Sequence, residues 1–406
     1  MYALQHPLVV WSCLALWAVW ILQLVIRAFR SPLSSIPGPW YTTFTRLVLK
    51  FHTLKGTRMY YVDSLHQFYG PIVRISPHEV AVADPESVAK IHRIGSGFLK
   101  SSWYQAFNKA PEPGIFSMID PKQHAQRRKL FAKAFSNASL KANWEPSIRE
   151  KAELAVARIK DEAQRGEADV LKWWTLMATD VIGHLSFGES FGMLQIGQKT
   201  QYVRVLESAL LSSGIRLELP WLHAIARLIP LESIQTVMKA DDYLFEYGGK
   251  AVTNLRKQGG NGQNIFGNML AACDGDEKQQ LTDMSIRLEA GNLIVAGSDT
   301  TAITLTYLVW TVLKRPDLQR RVEAELGALD PAFGDAELER LPLLNAVIEE
   351  VLRLYGAAPG ALPRTVPPGG VTFCGYFIPE GTVVETQAYT LHRNPSVFPN
   401  PLEHRA

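Results

Sequence analysis

The chain has 406 residues, 42 basic and 39 acidic side chains and a formal net charge of +3; it is 47% hydrophobic and 20% charged. That apolar content builds a core without covalent staples, and the spread charge, free of polybasic tails and basic–aromatic blocks, argues against nucleic acid as a partner. The three cysteines, Cys13, Cys273 and Cys374, are odd in number and far apart, so no disulfide framework or CxxC metal site can be written from them.

Residues 1–30 read as an uncleaved signal anchor. Val9–Ile26 is apolar except for Ser12 and Gln23, about the length needed to cross a hydrocarbon core of roughly 30 Å. Arg27 and Arg30 follow it, and no Lys or Arg precedes it. The positive-inside rule then puts the N-terminus in the lumen of the endoplasmic reticulum and the body in the cytosol, as a single-pass protein. A cleaved signal peptide is the rival reading, but it would carry its basic residues at the other end. Residues 31–40, with Pro32, Pro37 and Pro39, cannot continue the helix and form a stiff hinge. Residues 41–406 are the body. With that topology the sequon at Asn137 stays unglycosylated.

Within the body a helix is expected over Met59–Tyr69, and then a hairpin of two strands, IVRIS and EVAVA, around Pro77-His78. Asp84-Pro85 opens a helix over Glu86–His92, and Gly95–Pro121 reads as a long loop. From Lys122 to about Lys257 the pattern is mostly helical, with an amphipathic stretch at Ile148–Arg165 and a more apolar core helix at Asp169–Gly188. A further loop falls near Gln258–Gly262. A long apolar helix follows over Thr282–Lys314, then shorter helices, then VTFCGYFIPEGTVVET as two strands around the turn Pro379-Glu380-Gly381. Cys273 falls in a loop-like stretch and Cys374 in a strand. The fold class is mainly α with a minor β part, plus one N-terminal transmembrane helix. No glycine-rich strand–turn–helix phosphate loop is present.

Chemistry gathers in the long helix, which spans roughly 50 Å. At its middle stands Ala296-Gly297-Ser298-Asp299-Thr300-Thr301. Ala296 and Gly297 are small enough to let a flat group, or another helix, lie close. Thr300 can turn its hydroxyl back onto the Ala296 carbonyl. Asp299 is a carboxylate in an apolar run and needs a partner if buried. Downstream, LNAVIEEVLRLY (Leu344–Tyr355) places Glu350 and Arg353 on one helix face at i and i+3.

AGSDTT, EVLR (Glu350–Arg353), LPR, GYFIPEGTVV and LHRNPSVFPNP, in this order, together with the anchor, IPGPW and QHAQRRKLFAKAFS, resemble the cytochrome P450 family, particularly its microsomal, fungal members. The resemblance covers essentially the whole chain. It implies a cytochrome P450 fold, haem b with its iron, and a monooxygenase acting on a lipophilic secondary metabolite such as a terpenoid or polyketide. Electrons would come from an NADPH–cytochrome P450 reductase, with cytochrome b5 a second redox partner. By the same resemblance Thr300 and Asp299 are the catalytic pair, and Ala296 and Gly297 lie against the haem. His124, Arg128 and Arg364 meet the propionates, His124 standing where the family has Trp, and His392 is either a further cofactor-binding residue or a packed loop histidine. Glu350 and Arg353 are a structural pair. The substrate pocket would be lined around Trp103–Met118, Asn292–Ala296 and Gly356–Leu362.

The family's iron ligand is the cysteine of F-x-x-G-x-R-x-C-x-G, which would lie beyond Ala406 together with the arginine that completes the Glu350–Arg353 pair. No metal ligand is therefore assigned within the chain, and the fold is expected to be incomplete at its C-terminus. The alternative reading is a truncated, catalytically inactive, membrane-anchored remnant without haem.

Overall fold

The computed structural model describes residues 5–107, 112–132, 134–240, 264–273 and 282–405. It divides into two compact units, Met1–Ser101 with Pro359–Asn394, and Ser102–Ala358 with Pro395–Ala406. The loop expected near Gln258–Gly262 lies outside the described residues.

The first unit begins with the helix Gln5–Arg30, long and apolar enough to cross a membrane. Its core is a five-stranded sheet in the order β1-β2-β7-β4-β3. β1 (Ile72–Ser76) and β2 (Glu79–Val82) form the expected antiparallel hairpin. β3 (Leu99–Lys100) and, in the second unit, the short helix Trp103–Phe107 interrupt the segment expected to be loop. β4 is Arg364–Thr365, β5 Val371–Phe373, β6 Tyr376–Ile378 and β7 Val383–Glu385.

The C-terminal strands correct the sequence reading twice. Three strands form rather than two, and the hairpin partner of β6 is β5. Their two-residue turn is Cys374-Gly375, both with positive φ (49° and 81°), the backbone a tight hairpin demands. Cys374 is thus a turn residue, not a strand residue. β7 leaves this pair across Pro379-Glu380-Gly381 and joins the large sheet, parallel to β2 and antiparallel to β4. Local pattern marks the turn but carries no information about which distant strand is paired.

The proline-rich segment is strapped down. Arg74 on β1 is buried, and its Nη1 donates to the carbonyls of Leu33 at 2.9 Å and Ile36 at 3.3 Å while Nε donates to Thr42 Oγ1 at 3.2 Å. These bonds tie β1 to both 3-10 turns, Pro32–Ser35 and Trp40–Thr43, and give the buried guanidinium its acceptors.

The second unit is helical. The helix Val170–Phe187 is nearly surrounded, as its apolar sequence predicts, with Asp169 capping its start and Gly188 closing it in the left-handed conformation. Its buried Asp180 accepts from the main-chain N–H groups of Met193 and Leu194 at 3.1 and 2.9 Å, so the carboxylate is not left unpaired. The long helix, Asp283–Leu313, is capped by Thr282 and contributes Ile294 and Ala302 to the same core as Trp173, Leu176 and Ile182. The helix Asn137–Ala163 begins well before the expected Ile148 and runs through Pro146. Cys273 ends the helix Ile265–Cys273, a correction to its loop-like reading.

Candidate active site

Four hydroxyls along the centre of the long helix donate to the carbonyl four residues earlier. Ser298 meets Ile294 at 2.7 Å, Thr300 meets Ala296 at 2.6 Å, Thr304 meets Thr300 at 2.9 Å and Thr306 meets Ala302 at 2.7 Å. The back-bond expected of Thr300 is therefore present. Ala296 and Thr300, one turn apart, are both exposed and form a strip of small side chains along one face.

Gly297 does not belong to that strip. A Cβ there would stand 3.1 Å from Ile182 Cγ1, so the missing side chain lets the long helix press against Val170–Phe187. Of the two readings open for the small residues, helix packing holds for Gly297. The flat open face belongs to Ala296 and Thr300.

Asp299 points elsewhere again, into a cleft of about 650 Å³ lined also by Lys172, Thr175, Lys199, Arg204 and Glu207. Burial and the nearby Glu207 carboxylate push its carboxyl above the usual carboxylate range, and Lys199 pulls the other way. Lys199 is itself paired with Glu207. The acid is thus placed beside a solvent-accessible cleft, lined by Leu171, Leu176 and Ile303 as well as by charged groups, and is inclined to hold a proton.

Glu350 and Arg353 sit on the helix Pro342–Tyr355 as expected, in a bidentate pair: Nε donates to Oε1 at 2.7 Å and Nη2 to Oε2 at 2.8 Å. Arg353 is buried, and its charge holds the Glu350 carboxyl below the ordinary range. The pair is also bonded to main chain. Arg353 donates to the carbonyls of Pro401 and Glu403 at 2.7 and 2.8 Å, and the Arg405 N–H donates to Glu350 at 3.0 Å. A buried guanidinium finds acceptors wherever carbonyls are in reach.

His124 and Arg128 share one face of the helix Pro121–Ala132, one turn apart, with Arg128 exposed. Arg127, beside them, is a residue that sequence reasoning missed. Its Nη1 donates to Glu289 Oε1 at 2.8 Å, and the Glu289 side chain is fully buried. The signal in the sequence is weak, since Glu289 stands among Leu288, Ala290 and Gly291 but close to Arg287 and Asn292, so only its burial shows that it needs a partner. Arg364 and His392 belong to the first unit. Arg364 lies on β4, and its charge, after burial, lowers the pKa of His92; His392 caps the short helix Ala388–Leu391. The structure thus gathers Ala296, Asp299 and Thr300 on one helix, and His124 and Arg128 on another in the same unit.

The cytochrome P450 family pattern matches residues 37–405, nearly the whole body. The chain belongs to the cytochrome P450 family. Among its relatives are the cytochrome P450 monooxygenase stcB of Emericella nidulans, 44% identical over 383 residues (93% of this chain, 73% of that protein), and aflV of Aspergillus parasiticus, 42% identical over 410 residues (98% and 81%). The fold is similar to that of retinoic acid-bound cyanobacterial CYP120A1, with a TM-score of 0.72 at 20% identity, covering 91% of this chain and 80% of the other.

A P450 implies haem, and side chains of the second unit are compatible with a flat group that carries carboxylates. The exposed Ala296–Thr300 strip carries no bulky side chain to keep a planar group away, and Arg128 and His124 supply basic groups suited to carboxylates. The family's cysteine segment does not occur in the 406 residues. Cys13 lies in the N-terminal helix and Cys374 in the β5–β6 turn, and neither sits in the family's ligand motif.

Proposed function

We propose that this chain is the membrane-anchored body of a haem-thiolate monooxygenase. It would insert one oxygen atom into a lipophilic secondary metabolite of terpenoid or polyketide type. The observation that carries the reading is the division of labour on the long helix, where Ala296 and Thr300 form a flat open strip and Asp299, beside them, opens onto a solvent-accessible cleft. The monooxygenase names of the fungal relatives support the reaction class.

Haem, when bound, supplies the activation of dioxygen, to which a cysteine thiolate contributes by favouring O–O cleavage. This chain's residues do the rest. His124 and Arg128 would pair with haem carboxylates, and Ala296 leaves room for the ring. Thr300 keeps a hydroxyl on the same strip, exchanging its bond to the Ala296 carbonyl for one to water. Asp299, whose carboxyl stays protonated to higher pH than an ordinary aspartate, takes protons from the cleft and delivers them toward Thr300. Arg353 and Glu350 do not react; they fix the helix Pro342–Tyr355 to the segment Pro401–Arg405.

The N-terminal helix would hold the body at the endoplasmic reticulum membrane, facing the cytosol, where NADPH–cytochrome P450 reductase and cytochrome b5 deliver electrons. Membranes containing the protein and the reductase, supplied with NADPH and isotopically labelled dioxygen, should place one labelled atom in each product molecule. Labelled product that persists unchanged in Thr300→Ala and Asp299→Asn would contradict the roles of these two side chains. Sequencing the 3′ end of the transcript checks the thiolate directly. A cysteine segment read in frame after Ala406 supports the monooxygenase, and a stop there in every transcript supports the inactive, haem-free remnant instead.

A further inference from the structure

We propose that Glu289 is a positioning residue for ligand binding, clamping the segment Glu112–Met118 and its Phe116 ring onto the first half of the long helix. The inference rests on the monooxygenase reading only for the nature of the ligand, a flat apolar molecule.

The Glu289 side chain is fully buried, and both of its oxygens are engaged. Oε1 accepts the main-chain N–H of Ile115 at 2.8 Å and Arg127 Nη1 at 2.8 Å, and Oε2 accepts from Asn292 Nδ2 at 3.4 Å. One carboxylate on the long helix therefore holds the neighbouring helix Pro121–Ala132 through its arginine and the segment before it through its backbone. A second tie lies one turn earlier. Glu112 Oε2 accepts from Thr282 Oγ1 at 2.9 Å and Ser285 Oγ at 2.7 Å, and Arg127 Nη2 donates to Ser285 Oγ at 3.2 Å. Glu112, Arg127 and Glu289 thus alternate in charge across the seam.

The seam is also close-packed. A Cβ on Gly114 would stand 2.6 Å from Asn292 Nδ2 and 3.4 Å from Glu289 Oε2, so a side chain there would have to displace the Asn292 amide. Ser117 and Met118 are buried. Phe116, in contrast, is 40% exposed and meets the rings of Trp103, Tyr104 and Phe107 at centroid distances of 6.4, 5.2 and 6.0 Å. The segment is therefore held by its backbone and presents an aromatic face, which is how a rigid scaffold positions a binding loop. A buried carboxylate is a costly way to hold a loop; in this seam it fixes the loop at one height on the helix.

The test compares Glu289→Ala, Glu289→Gln and Gly114→Val with wild type by hydrogen exchange and by the affinity of pyrene, a flat apolar fluorescent probe. Glu289→Ala should speed exchange across residues 112–118 more than in the helix Pro342–Tyr355, which reports global opening. It should also weaken pyrene about tenfold, the size of effect expected when a binding surface loses its preorganisation. Glu289→Gln keeps an acceptor for the Ile115 N–H and should stay within about twofold of wild type. Gly114→Val displaces the segment from the other side and should weaken pyrene in a chain that keeps Glu289; adding Asn292→Ala should restore part of the loss. Unchanged exchange at 112–118 in Glu289→Ala, or unchanged pyrene affinity in Gly114→Val, overturns the proposal. Neither readout uses haem, so the clamp is decided even if the monooxygenase reading falls.

Discussion

The two halves of the long helix solve opposite problems with similar residues. In the first half, around Asp283–Ile294, a carboxylate is fully buried and immobilised: Glu289 is fixed by Arg127, Ile115 and Asn292. In the second half Asp299 faces a solvent-accessible cleft and is held by no such clamp, while hydroxyls fold back on the helix and leave its face open. Burial with partners makes a side chain a fixture. Partial burial beside water makes it available for proton traffic. A charged residue in an apolar helix therefore signals importance, but only its neighbours reveal which kind.

The contrast can be broken most forcefully at Glu289. Truncation to alanine leaves the largely buried Arg127 without its counter-charge, and should cost about 3–5 kcal/mol by urea denaturation. Replacing both partners by leucine should recover much of that loss. Gly297→Leu drives a side chain into Ile182 and should cost about 1–3 kcal/mol by the same measurement, without affecting exchange at residues 112–118. Thr300→Val touches an exposed position and should change stability by no more than about 0.5 kcal/mol, while lowering product formed per NADPH consumed.

Asp299→Asn sharpens the contrast through pH. Because the folded-state carboxyl titrates above its ordinary value, the folded chain keeps this proton over a window in which the unfolded chain has lost it. The group's contribution to stability therefore falls as pH rises through that window and stays lower above it. Asn removes the penalty, so the variant should melt slightly higher than wild type at neutral pH and equal it in acid. Thermal melts across a pH series read this directly.

Much of this was legible in sequence because it is local. The Thr300 back-bond and the Glu350–Arg353 pair both lie within four residues along the chain. So was the fold class, carried by motifs whose spacing a family resemblance reads at once. What escaped was long-range. The Arg127–Glu289 pair joins residues 162 apart in sequence, and β7 chooses β2 and β4 over the neighbouring β6. Gly297 is ambiguous in sequence for a different reason. A small residue permits close approach by any flat partner, and only the position of Ile182 shows that a helix packs against it.

The most direct test measures ligand affinity and coupling together, in haem-loaded protein in membranes with its reductase, for Thr300→Val and Gly114→Val. Thr300→Val should lower product per NADPH with affinity unchanged, and Gly114→Val should weaken affinity with product per NADPH unchanged. If both variants lose the same quantity, the two halves of the helix do not have separate tasks.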